Sequence, residues 1–244
     1  AQSRLAEFSS LPREATEGAA LMNFSGGMQL QDIALAFKGQ KTPLFESLSL
    51  TVQAGEKLIV TGPNGSGKTS FARLLMGLLE PVRGQIKVGT VDLRQLDLTW
   101  WRKQIVYLPQ EPSFFPATIL ENLKAVNPSV ADEHVNQAIR DAGLRNWLDS
   151  TSDGLQTMIT DTSALSLGIK KRISLARALL TGGSIVVADE PLEGLDDEGR
   201  AFFIKILDAL HQSGRMLVIC SSDQAFQGTA RHVLDLAVKP VPAY

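Results

Sequence analysis

The sequence predicts an α/β fold, a parallel sheet with helices packed against it. Three observations lead there. Short apolar runs at Lys57–Thr61, 184–188 and Met216–Cys220 fit strands covered on both faces. Segments with helical spacing separate these runs, giving the strand–helix–strand order of a parallel sheet. A glycine-rich turn joins the first run to the helix after it. The 244 residues, 44% hydrophobic and 20% charged, suffice for a substantial core.

Taken in order, residues 1–28 are polar and Gly/Ala/Ser-rich and read as a linker, with a short helix near residues 4–8. From Leu30 to Phe37, and again at Leu48, Leu50 and Val52, alternation marks half-buried strands. A helix follows from Gly67 to about Leu79. Residues 111–180 read mainly as helix, with Leu123, Ile139, Leu144 and Trp147 in the core. In the helix 196–210, Phe202, Phe203, Ile206, Leu207 and Leu210 share one face. The one cysteine, Cys220, lies in the last apolar run and reads as a buried core thiol in a reducing setting.

Composition narrows the function. A formal net charge of −2 provides no field favouring nucleic acid, which is not expected as a partner. No stretch approaches the roughly 20 apolar residues of a membrane helix, and no signal peptide stands at the start.

The strongest motif is Gly62-Pro63-Asn64-Gly65-Ser66-Gly67-Lys68-Thr69, which matches G-x-x-x-x-G-K-[ST] between an apolar strand and a helix. Glycines let the backbone curl so that several N–H groups point at phosphate oxygens, and the helix adds its positive end. Lys68 supplies a charge for the β- and γ-phosphates, and Thr69 a hydroxyl for Mg²⁺. Ser70 completes the candidate nucleotide-binding set. This loop alone leaves kinase, GTPase, helicase and transporter open. The run Ile185-Val186-Val187-Ala188 ends in Asp189 and Glu190. Beside a phosphate loop, Asp189 is placed to hold Mg²⁺ and Glu190 to polarise the attacking water as general base. Without that loop the pair would read as a solvated acidic turn.

These pieces together resemble the nucleotide-binding domain of ABC transporters over about residues 28–237. Tyr107-Leu108-Pro109-Gln110 is similar to the segment carrying the family's Q-loop glutamine, which implies that Gln110 reaches Mg²⁺ and the water and relays nucleotide state to the membrane domain. The stretch from Phe114-Phe115-Pro116 to Glu121-Asn122-Leu123 resembles the exporter branch, and Arg4-Leu5-Ala6-Glu7 the tail of a last membrane helix. Phe37 falls where the family stacks an aromatic on adenine; a strand core residue is the alternative. The resemblance implies a P-loop NTPase core (a RecA-like parallel sheet with flanking helices) over residues 29–110 and 179–244. It adds an N-terminal antiparallel β part and an α-helical signature subdomain inserted at 111–178. Residues 1–28 then lead in from a transmembrane domain outside this sequence.

Three places depart from the family pattern. Leu165-Ser166-Leu167-Gly168-Ile169 occupies the slot of the signature LSGGQ, which caps the γ-phosphate held by a second, identical or homologous cassette. Ser166 and Gly168 are retained for that contact. Leu167 either blocks close backbone approach or forces a conformation that glycine takes freely. Leu192-Glu193-Gly194-Leu195-Asp196 fits the D-loop, with Asp196 at the dimer interface and Glu193-Gly194 in place of the more usual Ser-Ala. Ser222 stands where a histidine contacts the γ-phosphate. His134, His211 and His232 lie elsewhere and read as surface or boundary residues. The expected function is binding and hydrolysis of MgATP at a head-to-tail dimer, at the cytoplasmic face of a membrane, powering export. Ser222 and Leu167 imply slower turnover. The alternatives are a hydrolytically impaired ATP-binding module beside a more active partner, and a soluble ABC protein of DNA repair or translation.

Overall fold

The computed structural model describes residues 27–37 and 42–237. Residues 1–26 of the expected 1–28 linker, its short helix and the Arg4–Glu7 segment lie outside the described residues; Met28, by contrast, already opens a strand and is buried.

Two sheets form the frame. One is antiparallel, in the order β2-β1-β4-β5, from β1 (Met28–Leu35), β2 (Phe45–Val52), β4 (Arg83–Val88) and β5 (Val91–Asp92). The other is parallel, in the order β6-β7-β8-β3-β9, from β3 (Lys57–Thr61), β6 (Ile105–Leu108), β7 (Ile185–Asp189), β8 (Met216–Cys220) and β9 (His232–Asp235). The helices are α1 (Lys68–Leu75), α2 (Leu98–Lys103), α3 (Ile119–Lys124), α4 (Asp132–Asp141), α5 (Arg145–Asp149), α6 (Leu167–Leu179) and α7 (Asp197–Gln212).

The apolar runs become strands because each covers two cores at once. Leu58, Val60, Val187, Val218 and Cys220 face a core shared with β1, β2, β4 and α1. Ile59, Val186, Ala188, Leu217 and Ile219 face a second core with α3, α4, α6 and α7. Alternate side chains of a strand point to opposite faces, so a strand between two cores is apolar throughout. Cys220 is fully buried.

Several boundaries differ from the sequence expectation. β1 ends at Leu35, leaving Ala36 and Phe37 outside it. Its alternation breaks at Asp32, whose φ is 50°, where register shifts let Ile33, Ala34 and Leu35 all turn inward. α1 stops at Leu75, and Gly77, at φ 64°, provides the left-handed turn that ends it. Leu148 takes the buried position expected of Trp147, which is half-buried. On α7 the buried apolar set is Phe203, Leu207 and Leu210, with Phe202 and Ile206 at its margin. Strands β4, β5, β6 and β9 lie outside the expectation, since each is short or carries several polar residues.

The segment between β6 and α3 is fixed by Asn122, which has no exposed surface. Its Nδ2 donates to the carbonyls of Phe115 and Thr118, each at 3.0 Å, and its Oδ1 accepts from the Phe115 N–H at 2.9 Å. Thr118 and Glu121 cap α3 reciprocally. Asn122→Ala leaves these backbone groups without their side-chain partner. Denaturant unfolding is expected to show a loss of about 2–3 kcal/mol.

Candidate active site

The phosphate loop leaves β3 and enters α1 through two glycines that no other residue replaces. Gly62 has φ 143°, and a Cβ there would lie 2.6 Å from Ser66 Oγ. Gly67 caps α1 at φ 105°, and its Cβ would lie 2.7 Å from Leu44 Cδ2. The loop therefore curls over the start of α1, whose free N–H groups and positive end face outward. Lys68 is buried. Its Nζ donates to the Gly62 carbonyl at 2.7 Å and lies 3.1 Å from Glu190 Oε1.

Parallel register sets the opposing wall. Asp189 of β7 and Val60 of β3 both pair with Cys220 of β8, so the three strands end side by side. Ligands of open parallel sheets bind beyond such strand ends. Asp189 is 1% exposed, and both its carboxylate oxygens are enclosed without a hydrogen-bond partner. Burial pushes its carboxyl above the usual range; the neighbouring Thr69 hydroxyl and Lys68 pull the other way, and Glu190 adds to the rise. Burial, and then Asp189, push the Tyr107 phenol up to about 12. Burial likewise raises the Cys220 thiol.

Glu190 follows in a left-handed conformation, φ 43°, directly before Pro191. Both features are disfavoured for a residue with a side chain. Four bonds hold it. Its N–H donates to the Cys220 carbonyl at 2.9 Å, and Oε2 accepts from Ser221 Oγ at 2.8 Å. Oε1 faces Lys68, and its carbonyl accepts from Lys171 Nζ at 2.8 Å. The sequence reading misses Ser221 and Lys171. Helical spacing offered a signal for Lys171, because Lys171, Ser174, Leu175 and Ala178 form one buried stripe of α6.

Phe37, Asn64, Gly65, Gly67, Lys68, Thr69, Ser70, Gln110 and Glu190, together with Leu44, line an open cleft of about 480 Å³. Phe37 is 38% exposed there rather than in the core. Gln110 Nε2 donates to Glu193 Oε2 at 2.6 Å, another contact the sequence reading lacks. Gly62, Ser66, Asp189, Ser222, Ser166, Gly168 and Asp196 do not line the cleft. The Ser222 hydroxyl is engaged by the Gly62 peptide, donating to its carbonyl at 2.5 Å and accepting from its N–H at 3.3 Å. Ser166 caps α6 by accepting from the Ile169 N–H, and Asp196 caps α7 by accepting from the Gly199 N–H. Leu167 opens α6 without strain: among the described residues only Asp32, Ser47 and Glu190 combine a side chain with a left-handed backbone. Its Cδ2 lies 2.5 Å from where a Cβ of Gly194 would be.

The family model of the ABC transporter matches residues 45–193, which include the phosphate loop, Gln110, Asp189 and Glu190. The chain belongs to the ABC transporter family. Membership implies ATP binding. Similar curated proteins include the lactococcin-A transport/processing ATP-binding protein LcnC of Lactococcus lactis, 35% identical over 80% of this chain and 28% of that protein. Another is the ATP-dependent lipid A-core flippase of Methylococcus capsulatus, 32% identical over 86% of this chain and 35% of that protein. The chain spans 16–35% of the length of the curated relatives it matches. A solved bacterial Atm1-family ABC exporter with ATP bound shares the fold, with a TM-score of 0.85 at 21% identity, covering 96% of this chain and 41% of that one. Among the described residues of this cassette, no helix is long and apolar enough to cross a membrane.

Lys171 sets a pH signature for this cassette. Burial lowers its ammonium from an ordinary 10.5 to about 8, against the pull of Glu193, Glu190 and Asp189. Between these values the unfolded chain binds more protons than the folded one. The burden of the charged group on the fold is therefore full below pH 8 and lifts as pH rises toward 10.5. Denaturation midpoints of the wild type should rise relative to Lys171→Gln across that window. A constant difference would contradict the assignment.

Proposed function

We propose that this chain is the nucleotide-binding domain of an ABC exporter, which binds MgATP in the cleft and hydrolyses it against a second cassette to power transport. The observation that carries the hydrolysis is Glu190, a carboxylate held at the mouth of the phosphate loop 3.1 Å from Lys68 Nζ and beside the buried Asp189. The export reading draws on the likeness to the lipid A-core flippase and the Atm1-family exporter.

In this reading the loop amides and Lys68 bind the β- and γ-phosphates, and Phe37 stacks on the adenine. Glu190 takes a proton from the water that attacks the γ-phosphorus, and ADP departs. The residues fit Mg²⁺, because Asp189 has two buried oxygens without partners beside Thr69. Thr69, Asp189 and Gln110 would hold the ion together with phosphate oxygens, where it neutralises phosphate charge when bound. Among the described residues no cluster of three His, Cys, Asp or Glu side chains offers another metal site. For that role Gln110 has to leave Glu193.

Ser166 and Gly168 would meet the γ-phosphate bound by the second cassette, and Asp196 would lie at that interface. Nothing within this chain demands glycine at 168, since an added Cβ would make only an ordinary 3.8 Å contact with Leu195 Cδ2. Ser222 acts here by steadying Gly62, and the missing histidine contact slows turnover. The chain then sits at the cytoplasmic face of a membrane beside a transmembrane domain, with residues 29–110 and 179–244 as the ATP-binding core and 111–178 as the signature subdomain.

The test is the steady-state ATPase rate across protein concentration, with Glu190→Gln as control. The rate is expected to rise more than linearly, and the variant to lose about 100-fold or more while still binding ATP. Tight ATP binding without Glu190-dependent hydrolysis would instead support the impaired module.

A further inference from the structure

We infer that Lys171 is a positioning residue for Glu190, transmitting the placement of α6 to the turn that aims the general base. The inference rests on the hydrolytic reading above and goes beyond it.

The turn at Glu190 needs external support. β7 ends at Asp189, so the carbonyls of Glu190 and Pro191 lie beyond the strand ladder. Glu190 adopts a left-handed backbone before a proline, and such a residue persists only where its surroundings impose it. Lys171 supplies that constraint from another element. Its side chain is 3% exposed, and Nζ donates to the Glu190 carbonyl at 2.8 Å and the Pro191 carbonyl at 3.1 Å. The Glu193 N–H adds a weaker bond to the Glu190 carbonyl at 3.3 Å. A lysine suits the place, because its long stem crosses from α6 and its ammonium can serve two carbonyls at once.

The other end of this link is the start of α6. Lys171 stands on the second turn of the helix that Ser166 caps and Leu167 opens. Leu167 packs against Gly194, four residues beyond Glu190. A shift of α6 therefore acts on the 190–194 turn at two points, the paired carbonyls and the Leu167 contact. Lys171 reaches the backbone of Glu190, whereas the carboxylate is met by Lys68 and Ser221. Losing Lys171 should disturb the aim of the base and spare the nucleotide cleft, whose lining does not include it.

The experiment compares ATP hydrolysis and MgATP affinity in the wild type, Lys171→Met, Lys171→Gln, Glu190→Gln and the Lys171→Met/Glu190→Gln double variant. Affinity is read by displacement of a fluorescent ATP analogue. Lys171→Met is expected to lower kcat about tenfold or more while affinity and KM stay within about threefold. Lys171→Gln, which keeps an N–H donor on a shorter stem, should fall between Lys171→Met and the wild type. In the Glu190→Gln background, Lys171→Met should lower kcat no further. A Lys171→Met rate within about twofold of the wild type, or affinity and rate lost together in both Lys171 variants, would overturn the inference. So would a full further loss in the double variant. A wild type without Glu190-dependent hydrolysis would instead fail the reading beneath it, and this inference with it.

Discussion

The ammonium of Lys68 and the carboxylate of Glu190 face each other at 3.1 Å, both largely buried. Charges removed from water need partners with defined geometry, and the surroundings of this pair supply them. Lys68 also bonds the Gly62 carbonyl, which ties it to the loop it leaves. Glu190 also accepts from Ser221, which ties it to the end of β8. The register of β3, β7 and β8 brings these groups to one edge of the sheet. Thus one ion pair joins the phosphate loop to the acidic strand end, beside the two enclosed carboxylate oxygens of Asp189.

The parts of the site that were legible in the sequence are contiguous. The loop at 62–69 and the run 185–190 each concentrate their chemistry in a few residues with an obvious local context. What escaped depends on distance and on one unusual dihedral. Lys171 meets Glu190 across 19 residues, Ser221 across 31, and Gln110 meets Glu193 across 83. Two of these contacts follow from the left-handed turn at Glu190, and no periodicity encodes a positive φ at a glutamate. The same kind of local exception hid the end of β1, where Asp32 resets the alternation. The central strands were easy to read because two cores make them apolar throughout; the edge strands β5, β6 and β9, of two to four residues, were not.

The departures from the family pattern acquire physical content in the fold. Ser222 does not line the cleft; its hydroxyl donates to the Gly62 carbonyl and accepts from the Gly62 N–H, which steadies the start of the phosphate loop. Leu167 fills space against Gly194 without backbone strain. Glu193 accepts a hydrogen bond from Gln110 at 2.6 Å. These three substitutions act on the loops around the acidic strand end, whereas Lys68, Thr69, Asp189 and Glu190 keep the residue types of the family pattern. On the proposed function, the hydrolytic step then depends on how the 190–194 turn is held.

The most direct test of the Lys68–Glu190 pairing as a prepared site is a crystal structure of the chain with Mg²⁺ and a non-hydrolysable ATP analogue. The expected result is Lys68 Nζ moved from the Gly62 carbonyl onto phosphate oxygens, the metal beside Asp189 and Thr69, and Glu190 still left-handed with its carboxylate facing a water in line with the γ-phosphorus. A bound nucleotide that leaves Lys68 on Gly62, or a Glu190 turned away from the γ-phosphate, would contradict the account.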